Sequence, residues 1–262
     1  MHPRMAMVAP GLVLALLASA LALQPARAAG EAALVSGASP VGTESAALVL
    51  TGATPAHGLH RAGPANFAGV PVSPEARHVA DWVVDSGDNS ALPFAIVDKV
   101  SAKVFVFDAG GRLRGAAAAL LGLARGDDSV PGIGTRKLSS ILPGERTTPS
   151  GRFVASLDRS LGGDVILWVD YDSGVALHRV IANVPKERRL QRLESALPSD
   201  RRITYGCINV PGAFYDDVVI PTFTGTSGIV YVLPETRSSR ELFGSYDVPA
   251  RALPVDPDLV RK

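Results

Sequence analysis

From residue 94 onward the chain runs in short apolar or alternating blocks separated by turn-forming residues. Phe94 to Val97, Lys103 to Asp108 and Arg112 to Leu120 have the length and the β-branched or aromatic content of strands. The last two are joined through Ala109-Gly110-Gly111, where glycine permits the positive φ of a tight turn, so an opening antiparallel pair is predicted. Gly151 to Leu157, Val165 to Tyr171 and Val175 to Val180 predict three more strands, with Asp172-Ser173-Gly174 turning between the last two. Gly228 to Leu233 predicts a closing strand.

Helical patterning is sparser. Ser73-Pro74-Glu75 reads as an N-cap, a first-turn proline and a dipole-compatible acid, followed by Val79, Trp82 and Val83 at helical spacing. Pro185 to Ala196 predicts a helix with Leu190, Leu193 and Leu197 on one face, and Pro211 to Val219 another short one. Lys186, Arg188, Arg189 and Arg192 fall largely off that leucine face. Basic runs of this kind are ordinarily the solvated side of an amphipathic helix, and contact with an anionic partner is the alternative. Residues Arg125 to Pro149 form a long irregular stretch punctuated by Pro131, Gly132, Gly134 and Pro143, and loops of this length inside a domain are commonly functional. Strands outnumber helices without regular alternation, which predicts a β-rich α+β domain.

The first 28 residues read as an export signal, with Arg4 in a short basic start, an apolar run centred on Leu12 to Leu23, and small residues at Ala26-Arg27-Ala28. That run is shorter than the roughly 20 residues a spanning helix needs, so cleavage and an exported, periplasmic or envelope-associated protein without stable membrane insertion are expected. Residues 29–72 are dominated by Ala, Gly, Ser, Thr and Pro and read as a disordered linker. His57 and His60 lie within it without further ligands, so they are read as solvated histidines and no metal site is expected. The expected organisation continues with a leading helix at 73–90, a catalytic domain at 91–236 and an unpatterned tail at 237–262.

Composition narrows the chemistry. A formal net charge of +1 offers no global field for nucleic acid, so none is expected as a partner, and function must come from a local site. Cys207 is the single cysteine, in Thr204-Tyr205-Gly206-Cys207-Ile208-Asn209. An odd thiol in an exported protein has no intramolecular disulfide partner, so nucleophilic chemistry is the reading that explains it. A free cysteine is only about 3% thiolate at pH 7, so it needs an activating partner. His178, at the end of a predicted strand, is that candidate. Gly206 allows a tight turn, and the backbone N–H groups of Gly206 and Cys207 are candidates for an oxyanion hole. The alternative is a buried, inert Cys207 beside a satisfied core histidine.

Thr148-Pro149-Ser150-Gly151-Arg152-Phe153, then His178, then Tyr205-Gly206-Cys207-Ile208-Asn209 resembles, in that order, the L,D-transpeptidase catalytic domain of bacterial cell-wall enzymes. Val104-Phe105-Val106-Phe107-Asp108 with Gly110-Gly111 is similar to that domain's opening hairpin, and the resemblance covers about Phe94 to Pro234. It implies a mixed β-sheet or sandwich domain in which Cys207 attacks the carbonyl between a diamino acid and the terminal D-Ala of a peptidoglycan tetrapeptide stem. His178 would activate the thiol, the thioester would pass to an amine on a neighbouring stem, carbapenems would be covalent inhibitors, and no cofactor would be needed. Thr204, Tyr205, Asn209 and Arg179 are the implied substrate contacts. Tyr205 and Asn209 stand where the family commonly has a histidine and an arginine, and Arg179 where a glycine often follows the histidine. An L,D-carboxypeptidase using the same residues, and an inactive envelope-binding protein of the same fold, are the competing functions. The chain has no Ser-x-x-Lys and no Gly-x-Ser-x-Gly, which leaves serine acyl transfer without a nucleophile.

Overall fold

Strands that are apolar on both faces need a layer on each side, and this requirement organises the fold. The computed structural model describes residues 64–160 and 162–249, all within one compact unit. Its strands are β1 (Phe94–Asp98), β2 (Lys103–Phe107), β3 (Leu113–Ala118), β4 (Leu121–Gly122), β5 (Gly151–Arg159), β6 (Val165–Asp170), β7 (Val175–Arg179), β8 (Arg202–Thr204), β9 (Ile208–Val210) and β10 (Gly228–Val232). The helices are α1 (Pro74–Ser86), α2 (Arg189–Glu194), α3 (Gly212–Phe214), α4 (Ile220–Phe223) and α5 (Ser239–Phe243), with a π turn over Tyr215–Val219 joining α3 to α4. Eight strands form one mixed sheet in the order β3-β2-β1-β10-β5-β6-β7-β9, while β4 and β8 pair separately in parallel. Within the large sheet, β1–β10 and β7–β9 are parallel, and the other neighbours are antiparallel. The fold is therefore a β-rich α+β domain with a few short helices, as predicted.

Side chains alternate across the sheet, so β1, β2 and β10 each supply two cores. Phe94, Ile96, Phe105, Phe107, Ile229 and Tyr231 face α1, where Val79, Trp82 and Val83 cover them. Ala95, Val97, Val104, Val106, Val230 and Val232 face the opposite way, against Tyr215, Val219 and Phe223. Burying each large apolar side chain contributes about 1.5–3 kcal/mol, so these two layers supply the main cohesion. The start of α1 follows its local signals: Ser73 Oγ accepts from the Ala76 N–H at 3.1 Å, and Pro74 opens the first turn. Gly87, at φ 70°, ends the helix.

Several boundaries differ from expectation. The helix expected over Pro185 to Ala196 is a 3₁₀ turn at Pro185–Glu187 followed by α2, because Arg188 between them is left-handed at φ 51°. Only Leu193 of its three leucines is buried; Leu190 and Leu197 are exposed. Short strands β4, β8 and β9 carried too few residues to show a period. The end of the expected linker is packed, with Ala65 and Phe67 in the α1-side core, and Asn66 bridges to Arg112. The expected tail also begins with ordered structure. Ser238 caps α5, Phe243 packs on Trp82 and Tyr231, and Tyr246 donates to Asp85. The expected signal, residues 29–63 with His57 and His60, and residues 250–262 lie outside the described residues. Among the described residues no helix is long and apolar enough to cross a membrane.

A buried ionic cluster ties together the segments that lead to the site. Lys99, just after β1, donates through Nζ to Asp127 Oδ1 at 2.8 Å and to the carbonyls of Gly126 and Thr148. Asp127 also accepts from the N–H groups of Glu235 and Thr236. Arg202 of β8 donates to Glu235 Oε2 at 2.7 Å and to the Lys99 carbonyl. Burial alone would raise the Asp127 pKa, but the hydrogen bonds from Lys99, Thr236 and the two backbone N–H groups outweigh it and hold the carboxyl well below the usual carboxylate range. Two cations and two anions balance here, which makes removal of either partner costly.

Asp127→Ala is accordingly expected to destabilise the protein by about 3 kcal/mol in denaturant unfolding, because it removes the nearest counter-ion of the buried Lys99 ammonium and leaves only Glu235, 3.9 Å away, to balance it. The double variant Lys99→Met with Asp127→Ala should recover much of that loss. A cost near zero for Asp127→Ala would show that the cluster carries no such constraint.

Candidate active site

Sequence separation places His178 and Cys207 far apart, and sheet pairing brings them together. In the parallel β7–β9 pair, Leu177 lies opposite Ile208, His178 opposite Asn209 and Arg179 opposite Val210. Side chains alternate, so His178 and Asn209 share one face with Cys207, which lies one residue before β9. Leu177, Ile208 and Val210 occupy the other face, in the core. Cys207 and His178 are thus diagonal cross-strand neighbours.

The turn that carries Cys207 is held from three sides. Gly206 has φ +135°, and a Cβ there would come within 2.8 Å of the Thr147 carbonyl, so both backbone conformation and space require glycine. Thr148 Oγ1 donates to the Gly206 carbonyl at 2.8 Å and accepts from the Gly122 N–H at 2.9 Å. Thr204 Oγ1 donates to the Cys207 carbonyl at 2.7 Å and accepts from the Gly206 N–H at 3.2 Å. The Gly206 N–H, expected to face an oxyanion, is therefore engaged within the turn. The C=O and N–H of a trans peptide point in opposite directions, so fixing the Gly206 carbonyl on Thr148 turns the Cys207 N–H away from Thr148.

His178 is oriented through both ring nitrogens. Nδ1 lies 2.8 Å from the Arg179 carbonyl, which can only accept, so Nδ1 carries the proton. Nε2 lies 3.0 Å from Asn209 Nδ2, so its lone pair accepts from the amide. Asn209 Oδ1 in turn accepts from Arg189 Nη1 at 2.9 Å. Burial pushes the His178 pKa down, reinforced by the Arg189 charge and opposed by the Arg179 carbonyl and Asp164. Burial also pushes the Cys207 thiol up, against the opposing influence of the Ala176 N–H and the Arg189 charge. The thiol directs its proton at the Gly174 carbonyl, 3.7 Å away. These directions favour a neutral thiol beside a neutral imidazole over a pre-formed ion pair.

Cys207 borders two cavities. One, of about 400 Å³, is lined by Val165, Ile166, Trp168, Ala176 and His178, with Asp164 and Arg179 also contributing. The other, of about 80 Å³, lies beneath the long loop, among Ile133, Leu138, Ile141 and Tyr205. That loop approaches closely: a Cβ on Gly134 would meet the Asp172 carbonyl at 2.4 Å. Arg136 binds Glu145 through two hydrogen bonds, at 2.9 and 3.0 Å, bracing the loop internally.

The expected substrate contacts divide. Tyr205 is half-buried beneath the Arg146 guanidinium, 3.9 Å from its ring centroid, and lines the smaller cavity. Arg179 lines the larger one, but it is paired with Asp216 and lies over the Tyr215 ring. Thr204 is buried and braces the turn, and Asn209 is buried and braces His178, so neither presents a free group to a substrate. Reading the sequence missed two contributors. In the sequence Thr148 is visible only as part of a motif, and Arg189 only as one of four basic residues off the leucine face. The left-handed Arg188 that aims Arg189 inward has no sequence signal, because arginine is not a residue that ordinarily adopts that conformation. Among the described residues, no group of three or more His, Cys, Asp or Glu is placed to hold a metal ion.

No family model matches the chain, and no curated protein matches it. Among solved structures, it is similar to the helical cell shape determining protein Pgp2 from Campylobacter jejuni, at 15% identity over 56% of this chain and 49% of that chain, with a TM-score of 0.38. It is also similar to the LD transpeptidase LdtMt1 in complex with imipenem, at 18% identity over 54% of this chain and 58% of that chain, with a TM-score of 0.31. The chain thus spans about half the length of these structures. Likenesses at this level carry no weight in assigning function.

Two outcomes follow from the geometry. Iodoacetamide labelling of Cys207 should rise about tenfold per pH unit through neutrality and level off only above the ordinary thiol value of about 8.5. A plateau at or below pH 7 would show a pre-ionised thiol. Thr148→Val keeps the volume of the side chain but strips partners from the Gly206 carbonyl and Gly122 N–H, and should lower stability by about 1–3 kcal/mol in denaturant unfolding.

Proposed function

We propose that the protein is an exported cysteine acyltransferase of the L,D-transpeptidase type, acting on peptidoglycan stem peptides. The observation that carries this reading is the placement of His178, with its lone pair on Nε2, on the same face as Cys207 at the wall of the larger cavity. The apolar lining of that cavity suits the aliphatic parts of a stem peptide, with Asp164 and Arg179 as the charged groups beside them.

In this reaction the Asn209 amide gives up the Nε2 lone pair of His178, which takes the Cys207 proton as the sulfur attacks the carbonyl before the terminal D-Ala. The S–C bond forms, and the carbonyl oxygen takes the negative charge. The Cys207 N–H is the donor proposed to receive it. The tetrahedral centre collapses, the C–N bond breaks, and His178 returns the proton to the departing D-Ala amine. An amine of a second stem then attacks the thioester, giving its proton to His178, and the thiol leaves with that proton. Starting from neutral partners, the pair reaches the ion pair only as the reaction proceeds. A substrate carbonyl in the cavity supplies the acceptor for charge that burial of the thiol otherwise disfavours. The protein's own groups suffice for every proton in this sequence.

Purified protein given tetrapeptide stems should release D-Ala and form cross-linked dimers, and Cys207→Ala should abolish both while leaving the unfolding midpoint nearly unchanged. A carbapenem should add the mass of one drug molecule to the wild-type protein and nothing to Cys207→Ala. D-Ala release without dimers would favour the carboxypeptidase reading, and absence of both release and adduct would overturn the acyltransferase assignment.

A further inference from the structure

The polarity of the hydrogen bonds running into His178 is determined at one end by a group that can only donate. Arg189 Nη1 donates to Asn209 Oδ1, and a guanidinium has no acceptor, so the amide oxygen is committed to Arg189. Asn209 must then present its NH₂ to His178 Nε2. Turned over, the same amide would offer its oxygen and would accept from a protonated Nε2–H. Arg189 is itself anchored, with Nε donating to Glu187 Oε2 at 2.6 Å and its side chain 16% exposed.

We propose that Arg189 is a positioning residue that, by fixing the Asn209 amide, keeps His178 a neutral base and denies its imidazolium form a stabilising partner, so that the proton taken from Cys207 is handed on rather than retained. The inference rests on the reading of His178 as the base. An imidazolium carries N–H on both nitrogens, and with the Asn209 oxygen held by Arg189 its Nε2–H faces another N–H. A base that cannot comfortably keep its proton makes the better acid for the departing amine. The other groups facing His178 are the Arg179 carbonyl, which accepts from Nδ1 in both states, the Asp164 carboxylate on the β5–β6 connection, and the Cys207 thiol. Asp164 favours the imidazolium and is exposed, so the Arg189–Asn209 pair is the opposing influence built into the packed interior.

The test is an NMR titration of the His178 ring in protein carrying Cys207→Ala, which removes the thiol and requires no turnover. Wild-type Arg189 should hold the His178 midpoint below the ordinary value of about 6.5. Arg189→Met should raise it by about one unit, a tenfold change in the proton-binding constant. Arg189→Lys, also a donor-only cation, should keep it low. Simple repulsion between two cations would act without Asn209, so the decisive comparison repeats Arg189→Met in an Asn209→Leu background. There the shift should shrink by more than half, the signature of coupling through the amide. An equal shift in both backgrounds would overturn the proposal in favour of direct charge repulsion, and no shift in either would overturn it outright. Because the measurement uses no peptidoglycan, a positive result together with absent cross-linking would count against the proposed function and leave this inference standing.

Discussion

Pairing β9 in parallel with β7, with His178 opposite Asn209, puts the cysteine, the histidine and the amide on one surface while Leu177, Ile208 and Val210 fill the core on the other. A slip of one residue would exchange those two sets, burying the polar groups and exposing the aliphatic ones, so the hydrophobic core enforces the register of the chemistry. The register is also held from the far side of β9. Asn209 exchanges both of its backbone hydrogen bonds with Leu120, at 2.8 and 2.9 Å, so a strand of three residues is paired along both edges. That double pairing explains how so short a segment can hold the face that carries Cys207 and Asn209 rigidly.

A second level of support reaches the site from the buried ion cluster. Lys99 binds the Thr148 carbonyl, and the hydroxyl of the same threonine binds the Gly206 carbonyl. One residue therefore links the charge cluster at the end of β1 to the peptide bond just before Cys207. Glu235 and Asp127 draw the exit from β10 and the start of the long loop into the same cluster. Burying four charges is seldom the route to greatest stability, and hydrophobic replacements of equal volume are often as stable. What the cluster supplies is a fixed junction of four otherwise separate segments beneath the turn that carries Cys207.

The electrostatics of the site are those of a poised rather than an ionised pair. Burial raises the thiol and lowers the imidazole, and Arg189 acts in opposite senses on the two, favouring the thiolate while disfavouring the imidazolium. A neutral thiol is also less exposed to oxidation than a standing thiolate.

How much of this was legible before folding depends on the range of the interaction concerned. Local signals sufficed for α1, whose cap, first-turn proline and terminal glycine all lie within its own segment, and for the seven longer strands, of which β1, β2 and β10 are continuous apolar runs buried on both sides and the others more exposed. The lone cysteine and the histidine at a strand end also stood out, because residue chemistry and strand period are properties of the chain alone. Strands β4, β8 and β9 were not legible, since two or three residues contain no period and their existence depends on distant partners. Nor was the inward aim of Arg189: four basic residues within seven positions look alike until the left-handed Arg188 and the pairing of β9 decide which one meets Asn209. The sequence by itself determined the elements that local geometry can specify and the residues able to do chemistry. Tertiary structure decided which polar groups face one another, because hydrogen-bond polarity and burial arise only when segments remote in the chain are packed together.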